Sequence, residues 1–90
     1  MNYTVYDYRI MCGFKEIEKG RREVKYIRRR SMEIAAERNK PARLQIYNFY
    51  LRQWDFIGEA YPNGDFYADC GDGPFVLDEK GDKFHKKGEK

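Results

Sequence analysis

Apolar and polar residues alternate from position 3 to 12, the period of a half-buried strand. Tyr6, Tyr8, Ile10 and Cys12 point one way, while Asp7 and Arg9 share the other face with Tyr3, Val5 and Met11. Gly13 ends the run. From Lys15 to Asn39 the alternation gives way to Lys, Arg, Glu, Ala, Ile and Met, mostly good helix formers, and Pro41 supplies a stop. At helical steps of about 100°, Ile34, Ile27, Val24, Ala35 and Met32 fall on one arc, with Ser31 among them. The pattern predicts a long helix over about 21–39. A competing reading, a hairpin turning at Gly20 followed by a short helix capped by Ser31, sacrifices that periodicity and ranks second.

Strand character returns after Ala42. Residues 44–50 and 54–61 are runs of β-branched and aromatic residues interrupted near Arg52-Gln53, the pattern of a hairpin. Tyr61-Pro62-Asn63-Gly64-Asp65 carries turn chemistry, with Pro fixing φ and Asn-Gly accepting positive φ. Residues 66–68 follow as a short strand, 69–74 as a loop, and 75–77 and 83–85 as edge strands around a last turn at 78–82. The fold class expected is α+β: one long helix on an antiparallel sheet of four to six short strands, in the order β-α-β-β-β(-β-β). The domain expected is 1–85, with 86–90 as a frayed basic tail.

Ninety residues support one domain, which on surface scaling buries roughly 65% of its unfolded area. Aromatics are 17% of the chain and charged residues 37%, a composition neither disordered nor membrane-spanning. The N-terminal residues show no basic segment leading into an apolar one, so a cytoplasmic setting without membrane attachment is expected. In that setting Cys12 and Cys70 read as free thiols, and the Asn2-Tyr3-Thr4 sequon as a chance match.

The formal net charge of +3 conceals a division. Residues 15–43 hold eleven bases against five acids, and residues 44–82 hold two bases against eight acids. On the helical wheel Arg21, Arg22, Lys25, Arg28 and Arg29 form a continuous arc beside the apolar stripe. Cations spaced along one face are what phosphate-backbone binding requires, because each displaces a condensed counterion. These five are therefore the candidate nucleic-acid-binding residues, with nucleic acid or a nucleoprotein as partner. The bland account of the same arc is a solvated helix face.

The acidic half supports a second reading. Trp54, Asp55, Glu59 and Tyr61 would join carboxylates to exposed aromatics, a surface complementary to the basic groove of a host effector protein. In size and charge separation the chain is similar in kind to small phage and mobile-element proteins, including anti-CRISPR inhibitors, though no motif carries that likeness. Tyr47, Phe49, Tyr50, Trp54 and Phe56 have the chemistry of a base-stacking platform, but core packing is their expected use. Alternation sets Trp54 and Phe56 against Ile57 and Tyr61. A one-helix fold must leave some aromatics on an uncovered face, a candidate contact or homodimer surface.

No catalytic residues, metal ligands or cofactor are expected. His85 is the one histidine and lies near the C-terminal end, which leaves no base for a Ser-His-Asp or Cys-His arrangement. One His with two distant Cys makes no zinc set, the aspartates lack calcium-loop spacing, and Gly71-Asp72-Gly73 places acids where a phosphate needs amides and a lysine.

Overall fold

The computed structural model describes residues 4–69, 71, 73–77 and 84–86. Cys70, Asn2 and Tyr3 of the sequon, the turn at 78–82 and tail residues 87–90 lie outside them. Strands β1 (Val5–Cys12), β2 (Lys15–Glu23), β3 (Ala42–Asn48), β4 (Gln53–Ala60), β5 (Phe66–Ala68), β6 (Phe75–Leu77) and β7 (Phe84–Lys86) accompany one helix, α1 (Val24–Arg38). They form a single antiparallel sheet in the order β2-β1-β3-β4-β5-β6-β7. The α+β class and the helix-on-sheet arrangement are as the sequence implies. The element order gains one strand, β2, and Lys86, expected in the tail, ends β7 opposite Phe75.

β2 is the main departure from the expected helix over 21–39. Between Lys15 and Glu23 the one large apolar residue is Ile17, so a helix there would have no stripe to bury. Gly20 would add about 1 kcal/mol against helix. As a strand, the segment gains a ladder along β1 from Val5↔Glu23 to Cys12↔Lys15, closed by a turn in which Gly13 takes φ +63°. Gly20 faces Tyr8, and a Cβ there would come within 3.3 Å of the Tyr8 ring. Both β2 and β3 run antiparallel to β1, so α1 is the crossover joining two parallel strands with β1 between them.

The chain passes directly from β2 into α1, with Glu23 extended and no side-chain cap. The other end is well made: Asn39 adopts the left-handed conformation, and its N–H and that of Lys40 reach carbonyls of Ala35 and Ala36 before Pro41. Ile27, Ser31, Ile34 and Ala35 are buried, and Ser31 Oγ donates to the Arg28 carbonyl at 2.7 Å. They pack on Tyr8, Ile10 and Cys12 of β1, Ala42 and Leu44 of β3, Ala60 of β4 and Phe66 of β5.

A polar contact ties the helix to the edge strand. Tyr8 Oη donates to Glu18 at 2.8 Å, and Arg30 Nε donates to the other Glu18 oxygen at 2.8 Å. Burial, then the hydrogen bond to Glu18, pushes the Tyr8 phenol up to about 12. The folded state therefore favours the protonated phenol. The stability this contributes is complete below about pH 10, where the unfolded phenol also keeps its proton, and is lost as pH rises toward 12. Melting temperature is expected to fall across that window in the wild type and to fall less in Tyr8→Phe. Parallel alkaline slopes for the two proteins would remove Tyr8 as the cause.

Candidate functional site

Sheet register separates two faces. Tyr8, Ile10, Leu44, Ala42 and Ala60 align across β1, β3 and β4 beneath α1. The intervening positions, Asp7, Arg9, Arg21, Lys19, Gln45, Tyr47 and Trp54, lie on the opposite face, which no element covers among the described residues. Tyr47 and Trp54 are direct cross-strand partners there. Their rings meet edge to face at 5.2 Å, and Tyr47 meets Phe49 at 4.9 Å. The Arg9 guanidinium lies 4.5 Å from the Trp54 ring centre, while Arg9 Nε donates to Gln45 at 2.6 Å. A groove of about 510 Å³ runs beside this cluster, with Asp7, Lys19, Arg21, Tyr47, Phe49 and Trp54 in its wall. Three cations, Arg9, Lys19 and Arg21, thus meet one carboxylate around exposed ring surface.

This corrects the expectation that these aromatics pack in the core. The core needs only small or branched residues on the helix side of β3 and β4, because Ile27 and Ile34 descend from α1 to fill the space. Tyr47 and Trp54 are turned away by strand alternation.

The five predicted cations do not form one ridge. Arg21 and Arg22 belong to β2, where successive side chains point to opposite faces. Arg21 sits on the open face opposite Asp7, whereas Arg22 sits opposite Tyr6 with its guanidinium 3.7 Å from the Tyr26 ring centre. Lys25, Arg28 and Arg29 are on α1, Lys25 exposed and the two arginines half-buried. Arg28 lines a cavity of about 250 Å³ with Phe66, Ala68 and Phe75, so it lies over the sheet as well as on the helix flank. The acids of α1 are engaged by Arg30, which reaches Glu33 at 3.6 Å and Glu37 at 3.8 Å.

The four acidic-aromatic candidates are likewise divided. A bulge between Leu44 and Gln45 of the β3–β4 ladder leaves Ile57 without a partner in the register. Beyond it Glu59 joins Trp54 and Phe56 on the open face instead of continuing the Asp55 side. Tyr61, expected on the face opposite Trp54, donates its hydroxyl to Glu59 at 2.6 Å and packs edge to face on Tyr67 at 5.5 Å. That hydrogen bond, ahead of burial, raises the Tyr61 phenol above its ordinary range. Asp55 pairs with Ile46 on the helix side, and its carboxylate accepts from Gln53 and Asn48, each at 2.9 Å, which lowers its pKa, the Gln53 bond leading.

These bonds shape the β3–β4 turn. Asn48 Oδ1 accepts the N–H groups of Tyr50 and Leu51, and Arg52 takes φ +53°. The turn holds Phe49, Tyr50 and Leu51 out to solvent, at 66%, 98% and 65% exposure. Arg9, Lys19 and Asp7 were not among the residues singled out from sequence. For Asp7 and Arg9 the signal was the alternation of β1, which already set them apart from the apolar side, whereas Lys19 reaches this face only through the pairing of β2 with β1.

Among the described residues no three His, Cys, Asp or Glu side chains are grouped to hold a metal, and no helix is long and apolar enough to cross a membrane. Compared with known proteins, the chain matches no family model, and neither a curated protein nor a solved structure is similar to it.

Proposed function

We propose that this protein is a non-catalytic nucleic-acid-binding module that takes a single strand across the open face of its sheet. The observation that carries the reading is the uncovered Tyr47–Phe49–Trp54 cluster with Arg9 stacked on it and Lys19 and Arg21 beside it. Unpaired bases expose two apolar faces that stack on aromatic rings or on a guanidinium plane, and their phosphates need cations within reach. A duplex hides those faces, so stacking selects single strands. Lys25, Arg28 and Arg29 extend the positive field from the helix layer and assist encounter rather than docking.

Trp54 is the one tryptophan, so its fluorescence reports directly on the groove. Titration with uridine or thymidine oligomers is expected to quench it, with affinity falling as salt rises. Lys19→Glu with Arg21→Glu is expected to weaken binding about tenfold or more, and to lower the logarithmic salt slope by about 1.4, since each phosphate contact on a single strand contributes about 0.7. Arg22→Glu, Lys25→Glu and Arg29→Glu together are expected to have the smaller effect. Loss of binding in the helix triple and retention in the β2 double would transfer the function to the helix.

The exposed Phe49-Tyr50-Leu51 tip is the observation favouring the protein-directed alternative, a phage-type inhibitor or adaptor docking on a host effector. A partner retained after nuclease treatment and lost on Tyr50→Asp would support it.

A further inference from the structure

We infer that the groove reads guanine, with Asp7 as the specificity-determining residue; this rests on the single-strand reading above. Among the described residues Asp7 is the one carboxylate in the groove wall, directly across the β1–β2 ladder from Arg21, and its neighbours there are Lys19, Tyr47, Phe49 and Trp54. Among the described residues the Asp7 carboxylate makes no hydrogen bond or ion pair, and neither do the side chains of Lys19 and Arg21. The groove therefore presents an acceptor pair and two donors whose hydrogen-bonding capacity is uncommitted.

An ionised carboxylate only accepts. On a base stacked out of a helix the Watson–Crick edge is open to it. Guanine alone presents two adjacent donors on that edge, N1–H and the 2-amino group, which match the two oxygens of Asp7. Adenine and cytosine each place a ring-nitrogen acceptor beside their single amino group, and uracil flanks its one N–H with two carbonyls, so each brings a lone pair against the carboxylate. The remaining guanine acceptors, O6 and N7, lie next along the same base, and Arg or Lys is their usual partner. Cross-strand neighbours in an antiparallel pair stand about 5 Å apart, so Asp7 and Arg21 span adjoining edges of one base. A groove of phosphate-binding cations alone would have no use for Asp7 at this position, because it weakens the field.

The test uses the full chain and uridine heptamers that differ at the central base, read by Trp54 quenching. Guanine at the centre is expected to bind about tenfold more tightly than adenine, cytosine or uracil. Inosine, which lacks the 2-amino group, is expected to fall several-fold below guanine. Asp7→Asn is expected to erase the guanine preference while keeping or improving binding of the all-uridine heptamer, a result that also shows the variant folded. Equal binding of the four central bases, or an Asp7→Asn protein that still prefers guanine, would overturn this inference and leave the single-strand reading in place. Absence of quenching by every heptamer would overturn both.

Discussion

Replacing Gly58 by alanine is expected to destabilise the protein by about 1–3 kcal/mol, a fall in melting temperature of roughly 4–24 °C for a domain this size. Gly58 is buried in β4, facing Leu44 on β3 and Ala68 on β5. A Cβ at this position would lie 2.5 Å from Phe66 Cζ and 2.7 Å from the Tyr67 carbonyl oxygen. Both are far inside contact distance, and neither neighbour yields easily. The Phe66 ring is 2% exposed and wedged in the core, and the Tyr67 oxygen is backbone of the adjacent strand. The methyl group must spread β4 from β5 or displace Phe66. Urea unfolding of Gly58→Ala should show a lower midpoint with an unchanged slope. A midpoint equal to wild type would mean that the β4–β5 contact is looser than described.

Ile34→Ala should have the larger effect, about 2–5 kcal/mol, because it removes buried methyl groups and leaves a cavity where the single helix meets the sheet. Ile34 is 1% exposed and Ile27 is 0% exposed, and with Ala35 and Ser31 they are the buried residues of α1. Among the described residues α1 is the one helix over the sheet, with no second layer to collapse into the gap. Domains of this kind have a total stability of about 5–15 kcal/mol, so the variant is expected to be partly unfolded near body temperature. Phe14→Ala provides the contrast: Phe14 is fully exposed in the β1–β2 turn, and its loss should change stability by less than about 0.5 kcal/mol. Comparable melting curves for Ile34→Ala and Phe14→Ala would contradict the assignment of the core.

The two variants mark the parts of the fold that were and were not legible in sequence. Ile27, Ile34 and Ala35 stood on one helical arc from the start, and Asn39-Lys40-Pro41 ended it within a residue of the observed helix. Gly58 gave no sign of its role, since its constraint comes from Phe66 and Tyr67, which reach it only through strand pairing. The strand Lys15–Glu23, whose last three residues the sequence pattern assigns to the helix, departs from that pattern for a related reason. Its lysines, arginines and glutamates have the propensity of a helix, but propensity differences of a few tenths of a kcal/mol per residue yield to a ladder shared with β1. Arg21 and Arg22 thereby moved from adjacent helix positions to opposite faces of a strand, and the five-cation arc was divided.

Local pattern determined that the chain makes a mixed α+β domain, where the helix stripe and most strands lie, and that basic and acidic residues occupy different stretches. Those properties depend on residues within a few positions of each other. Tertiary structure alone decided which side chains share the open face. Arg9, Lys19, Arg21, Tyr47 and Trp54 come from four strands, and their grouping depends on pairing register and, in β2, on the bulge near Ile10/Met11. A bulge changes the facing of every residue beyond it, as it does for Glu59 and Tyr61, and it is set by the fit of strands distant in sequence. The charge division seen in the sequence is real, but the groove joins cations from β1 and β2 to aromatics from β3 and β4, across that division.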